Sequence, residues 1–293
     1  MKPILVHIHI YYVEMWQELK ACLRNIEPNP YDLYVTIVES NADLEKDILA
    51  FKPNAKIEIV ENRGFDIAPF VHIINQVNLD DYDYVVKLHT KRDIINQVNL
   101  DDYDYVVKLH TKRDMTVDAF LNGYNLKGDS WRKYLLNFIS TKEKFENTLS
   151  VLFDKKVAMV SDYRLLLKNR GYDKVAEEKL ESFLKEKGFP YINFYFVAGT
   201  MFIAKANVFK PMQNMFSMDD FEVEFKSVGQ MAHLIERFFG YLVYYNNQEI
   251  YYTFSQKCKR IARCLMYFFY QNKITTSGKR LIKIGSVFFF VKN

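Results

Sequence analysis

A chain of 293 residues, 49% of them hydrophobic, is long enough for one large domain or two small ones and apolar enough to build a core, which excludes a disordered chain. No apolar run reaches the roughly 18 residues that span a bilayer, and three cysteines without metal-ligand spacing (Cys22, Cys258, Cys264) fit the reduced thiols of a cytoplasmic protein. The net charge of +4 is unevenly spread: residues 251–293 hold nine Lys or Arg and no Asp or Glu, so the other 250 residues carry 31 basic and 36 acidic groups, and this acidic body without a recognition motif argues against nucleic acid.

The start reads as a first strand over residues 4–12 and not as a signal peptide, because histidines interrupt its apolar run and no cleavage site follows. Trp16, Leu19, Leu23 and Ile26 recur at helical spacing over residues 14–26, and Pro28 and Pro30 stop that helix. A strand over 33–38, a helix capped by Asn41 or Asp43 and running to Phe51, and a strand over 56–60 follow. A helix to about Val77 and a strand over 84–88 complete an alternating order, which predicts a mainly parallel α/β sheet with helices on both faces.

At this point the chain repeats itself. IINQVNLDDYDYVVKLHTKRD occupies Ile73 to Asp93 and recurs without a change from Ile94 to Asp114. The second copy either adds a helix and a parallel strand beside the first or leaves the sheet as an insertion. The 13 residues between His89 and Tyr103 just permit a parallel crossover, and the buried-type Val-Val and Ile-Ile pairs favour a strand from each copy. Farther on, residues 131–152 read as a helix, 156–161 as a strand, 191–204 as a strand pair bent at Ala-Gly-Thr, 229–244 as a helix and 249–254 as a short strand. No linker divides residues 1–250, so they read as one catalytic-sized domain followed by a basic tail over 251–293.

Ligands of an open parallel sheet bind beyond the carboxyl ends of its strands. That edge receives His9, Tyr11 and Tyr12 from the first strand, and Asn62, Arg63, Gly64 and Asp66 from the third. The duplicated strand delivers His89 and Lys91, and again His110 and Lys112. Tyr11 and Tyr12 suit stacking on a nucleobase or packing in the core, and Asp66 suits a ribose or sugar ligand or a helix cap. Asp81-Tyr82-Asp83 and its twin Asp102-Tyr103-Asp104 match a metal-binding Asp-x-Asp pattern, yet they precede their strand and belong to the opposite edge as turn residues.

The segments VHIHIYY, DLYVTIVES, ENRGFDIAPF, YDYVVKLHTKRD, GDSWR, FVAGTMFIAK and AHLIERFFGYL, in that order over residues 4–245, resemble the rhamnan synthesis protein F family. The resemblance implies a GT-A-like, Rossmann-related glycosyltransferase. It would move a sugar such as L-rhamnose from a nucleoside diphosphate to a lipid-linked or growing surface polysaccharide or O-antigen, with inversion. Where many such enzymes end the strand in Asp-x-Asp, this chain has His-Thr-Lys. On that reading His89 and Lys91, or His110 and Lys112, would hold the diphosphate without an obligatory divalent metal. His233 and Glu236, three residues apart on one helix face, are the candidate bases; Asp162, Gly199 and Thr200 are candidates for the acceptor side. The alternatives are a glycan- or nucleotide-binding relative that scaffolds an assembly complex without turnover, or a chain inactivated by its duplication. In the tail, Ile261, Cys264, Leu265 and Phe268 share a helical face while Lys259, Arg260 and Arg263 lie elsewhere. That pattern suits an anionic inner-leaflet surface, hence a cytoplasmic protein peripheral to the membrane, or equally a helix packed on the body.

Overall fold

The computed structural model describes residues 2–90, 120–126, 129–170, 174–224, 229–274, 280–284 and 287–291. The chain separates into two compact units. One comprises residues 1–90 and 134–257; the other comprises 91–133 and 258–293.

The first unit holds the expected mainly parallel α/β sheet. Strands β1 (Ile4–Ile10), β2 (Tyr31–Ile37), β3 (Lys56–Ile59) and β4 (Tyr84–His89) alternate with helices α1 (Trp16–Arg24), α2 (Ala42–Phe51) and α3 (Ile67–Gln76). β1 lies parallel between β2 and β4, and β3 extends the sheet beside β2. Later strands β7 (Val157–Val160), β10 (Phe202–Lys205) and β11 (Glu249–Ile250) give a seven-stranded order β11-β7-β10-β4-β1-β2-β3, in which β10 alone runs against its neighbours. This is a mainly parallel, Rossmann-like sheet flanked by helices. β1 and β4 are buried along their whole length, as strands covered on both faces must be.

Local chemistry sets the element ends. Asn41 caps α2 by accepting from the Leu44 N–H at 2.9 Å, which leaves Asp43 in the first turn. The helix expected over 131–152 is instead two helices, α4 (Ser130–Leu135) and α5 (Lys142–Leu152), because Thr141 adopts extended backbone and caps α5 through the Lys144 N–H. The last strand stops at Ile250, not 254. Thr253 and Gln256 form a reciprocal cap, with Gln256 N–H on Thr253 Oγ1 and Thr253 N–H on Gln256 Oε1, that starts α8 (Phe254–Phe269). The segment around Ala-Gly-Thr does bend: β9 (Tyr195–Val197) leaves the main sheet to pair with β8 (Leu166–Lys168), while β10 stays in it.

The core beside β4 is aromatic. Phe70 of α3, Phe202 of β10, Phe209 and Phe239 meet at ring separations of 5.4 to 6.4 Å, mostly edge to face. Phe239 belongs to α7 (Met231–Tyr245), which buries ten of its fifteen residues, and Gly240 lets that helix reach β9: a Cβ there would sit 2.4 Å from the Tyr195 carbonyl oxygen.

The first copy of the duplicated segment supplies the end of α3, the turn after it and β4. The second copy lies outside the described residues. The strand expected from it therefore lies outside them as well, and β4 is flanked by β1 and β10. Asp81, Tyr82 and Asp83 precede β4, at the edge opposite its carboxyl end, and act locally. Asp83 accepts from the Lys2 N–H, Asp81 from Asn78, and the Tyr82 hydroxyl donates to Asp32. Asp102, Tyr103 and Asp104 lie outside the described residues.

In the second unit, β5 (Phe120–Leu121) pairs with β6 (Tyr124–Asn125), and β12 (Tyr270–Ile274), β13 (Arg280–Ile284) and β14 (Val287–Val291) form an antiparallel meander. Among the described residues no helix is long and apolar enough to cross a membrane.

Candidate functional site

The parallel register of β1 and β4 aligns His7 with Lys87 and His9 with His89, and β2 brings Thr36 opposite His9. A period of two therefore gathers three histidines, a lysine and a threonine on one face of the sheet centre, where apolar side chains would be the norm. Lys87 is completely buried, His7 completely and His9 and His89 almost so.

A buried ammonium demands a partner, and α3 brings it. Asp66 occupies the helix N-cap position but does not cap. Its Oδ2 instead accepts from Lys87 Nζ and from the Thr200 hydroxyl at 2.5 Å, and lies 3.6 Å from His89 Nε2. Burial alone would raise the Asp66 carboxyl. The charges of His89 and Lys87, with the hydrogen bonds from Lys87 and Thr200, outweigh it and hold the group well below the usual carboxylate range. Lys87 Nζ also donates to Thr200 Oγ1 at 3.1 Å and sits over the Phe70 ring at 5.6 Å.

The turn between β9 and β10 closes the cluster. Gly199 and Thr200 both have positive φ, 83° and 52°. For a β-branched residue that is a strained conformation, costing about 1–3 kcal/mol, and the surrounding bonds must over-determine it. Here the Thr200 side chain is tied to Asp66, the Gly199 carbonyl accepts from His89 Nε2 at 2.8 Å, and the Gly199 N–H donates to Glu236 Oε1 at 2.8 Å. The two backbone groups of Gly199 thus link the half-buried Glu236 on α7 to His89 on β4, and Asp66 links His89 to Lys87.

His7 and His9 flank the Thr36 hydroxyl, each 3.0 Å away, and among the described residues His7 Nδ1 has no hydrogen-bond partner. A single hydroxyl can donate to only one of the two rings, so the other ring must donate to it. Burial is the main cause that pushes both imidazoles down, His7 well below its ordinary value and His9 to about 3, so both are neutral at neutral pH.

The remaining expected residues distribute as follows. Tyr11 and Tyr12 follow β1 at the predicted edge. Their rings meet edge to face at 4.8 Å, both backbone N–H groups donate to Thr90 Oγ1, and Tyr11 is exposed. Gly64, with φ 62°, lets the chain enter α3 where a Cβ would lie 2.4 Å from the Phe221 ring. Asn62 is half-buried beside it. Arg63 is bound to Glu61, Asp219 and the Met218 carbonyl, so it ties two loops together. His233 accepts from the Gln230 N–H at the start of α7 and packs against Phe65. Asp162 lies at the same edge, one strand past β10, with its carboxylate taken up by Asn137 and Arg164. Lys91, His110 and Lys112 lie outside the described residues.

The structure thus brings together Asp66, His89, Gly199, Thr200 and Glu236, with His9 nearby, and adds Lys87, His7 and Thr36, which were not among the expected site residues. The signal for them was present: a lysine between apolar neighbours in a strand expected to be covered on both faces has to find an anion inside. Two carboxylates enter this network among the described residues: Asp66, which Lys87 holds directly, and Glu236, which reaches it through Gly199. A divalent cation placed at Asp66 would meet the Lys87 ammonium, and no group of three or more His, Cys, Asp or Glu side chains that could hold a metal ion occurs among the described residues.

A family model described as rhamnan synthesis protein F matches residues 1–99 and, in a second alignment, 94–248. The second alignment begins at Ile94, the first residue of the second copy, and the first ends within that copy at residue 99, so each alignment contains one complete copy. Two strains of Xanthomonas campestris pv. campestris each have an uncharacterized protein, WxcX, that is 23% identical to this chain over 250 residues. Those residues are 84% of this chain and 32% of WxcX, so the match spans about a third of the relatives' length.

Proposed function

The chain belongs to the rhamnan synthesis protein F family, which ties it to polysaccharide synthesis, and on that premise we propose that residues 1–250 are a glycosyltransferase domain using a nucleoside-diphosphate sugar. The observation that carries this reading is the continuous network Glu236–Gly199–His89–Asp66–Lys87 at the carboxyl edge of a mainly parallel sheet, where such folds take their ligands.

In this reading Tyr11 stacks on the nucleobase and the Gly64–Asp66 turn lies against the sugar. Lys87 is too deeply buried to touch a phosphate; it fixes Asp66, and Asp66 fixes the strained Gly199–Thr200 turn. Glu236, held by one backbone N–H, is the base, with His233 its rival on the same helix face. The acceptor hydroxyl oxygen bonds to the anomeric carbon as the bond from that carbon to the diphosphate oxygen breaks. The hydroxyl proton passes to the base, and the nucleoside diphosphate leaves with the electron pair. Transfer proceeds without a resident divalent metal, the leaving charge being met by cations that follow β4 in sequence, while His89, nearly as buried as Lys87, holds the Gly199 turn. L-rhamnose donors and lipid-linked surface-glycan or O-antigen acceptors are the substrates most consistent with the family.

The test is transfer or hydrolysis of labelled nucleotide sugars by the purified full chain with lipid-linked acceptors, with and without chelator. Glu236→Gln should lower turnover about 10²–10⁴-fold with donor affinity retained. A folded chain that turns over no donor overturns the reading. The internal satisfaction of Asp66 by Lys87 favours one second reading, a binding relative without turnover, and calorimetry showing donor binding in the absence of transfer would select it.

A further inference from the structure

Helix α8 is amphipathic; its polar side meets the β5–β6 hairpin, where Arg263 stands over the Tyr124 ring at 5.7 Å, and its apolar side is exposed. At roughly 100° per residue, Cys258, Ile261, Ala262 and Leu265 fall on one side, Lys259 and Arg263 on the opposite side, and Lys257 at the margin. In a helix that packs on its own protein the apolar side would be covered. Here Ile261 and Leu265 expose 50% and 55% of their surface, and Cys258 and Ala262 beside them are exposed, as are Lys257, Lys259 and Arg263. The meander that follows carries a second open apolar pair. Ile284 of β13 and Val287 of β14 are register partners and expose 58% and 55%.

The charge on this part of the chain is of one sign. Residues 251–293 hold nine Lys or Arg and no Asp or Glu. A second copy of the same helix would bring cations against cations. A partner that is apolar within and anionic at its surface matches both sides of the helix together, and a bilayer containing anionic phospholipid has that profile.

We propose that α8 lies in the interface of an anionic lipid bilayer, with Ile261 and Leu265 turned into the acyl boundary and Lys257, Lys259 and Arg263 at the headgroups. The proposal concerns attachment and stands apart from the transferase reading: its test uses no sugar donor.

The full chain is sedimented with vesicles of phosphatidylcholine alone and of phosphatidylcholine mixed with phosphatidylglycerol. Binding should be at least about tenfold tighter to the mixed vesicles and weaken as salt rises. Lys257→Gln with Lys259→Gln and Arg263→Gln should remove the preference for anionic lipid. Ile261→Asp with Leu265→Asp should abolish binding to both vesicles, with the circular dichroism spectrum and melting temperature of the parent kept. Equal binding to neutral and anionic vesicles, or none to either, overturns the proposal. So does a parent chain that is dimeric in solution and becomes monomeric with Ile261→Asp and Leu265→Asp, since the face would then be occupied by a second copy.

Discussion

The body of this protein buries charge, and its tail exposes apolar side chains. Both reverse the usual partition of residues between interior and surface, but they differ in how the cost is met. Lys87 at the centre of the sheet is answered inside the chain by Asp66, Thr200 and a neighbouring aromatic ring. Ile261, Leu265, Ile284 and Val287 face outward, each more than a third exposed. The compensated placement marks a built site; the open one becomes informative only with the one-signed charge beside it, since single exposed apolar side chains such as Ile59 and Phe153 occur on the body too.

The largest effect tests the internal compensation. Lys87→Met should destabilise the body by about 3–5 kcal/mol, because it leaves a buried carboxylate without its cation. Adding Asp66→Asn should recover much of that loss in urea denaturation. A single mutant as stable as the parent would mean the pair is not what holds this centre. Next, Gly240→Ala should cost about 1–3 kcal/mol by overpacking α7 against the Tyr195 carbonyl and the Phe196 side chain. An equal melting temperature would show the body to be as loosely closed as the tail.

Acid provides a third test. His7 and His9 are depressed in the folded state, so between the ordinary value of 6.5 and, for His9, about 3 the unfolded chain binds the more protons. Stability is therefore full above about pH 6.5 and falls with decreasing pH, by about 1.4 kcal/mol per pH unit for each imidazole. Asp66, also depressed, adds a further loss below the usual carboxylate range. Melting temperature followed from pH 7 to pH 4 should drop, and His9→Asn should flatten the slope; a level profile would count against two neutral buried rings. The smallest effect belongs to the tail. Leu265→Ser should change stability by less than about 0.5 kcal/mol, and a larger loss would show that this side of α8 is covered after all.

The sheet was legible because its strands announce themselves by β-branched runs and its helices by period and caps; Asn41 and the Pro28–Pro30 stop fell where the chain said. The single long helix over 131–152 was misread because Thr141, an ordinary helix residue by pattern, competes as a cap. The edge that gathers Asp66, His89, Gly199 and Glu236 followed from the rule for parallel sheets. The partnerships did not. That Asp66 turns away from its own helix, that one residue, Gly199, joins Glu236 to His89, and that Lys87 lies inside all depend on contacts between residues more than 20 positions apart, which no local spacing encodes.

β4, flanked on both sides in the middle of the sheet, comes from a segment the chain carries twice. Removing residues 73–93 or residues 94–114 produces one and the same shortened sequence, with a single lysine and a single histidine for this strand. In the longer chain Lys108 and His110 repeat Lys87 and His89 letter for letter. Stability of the shortened form set beside that of the full chain, each with and without Lys87→Met, shows whether the repeated letters alter the cost of losing the lysine in β4. An equal loss in both leaves β4 with the first copy alone.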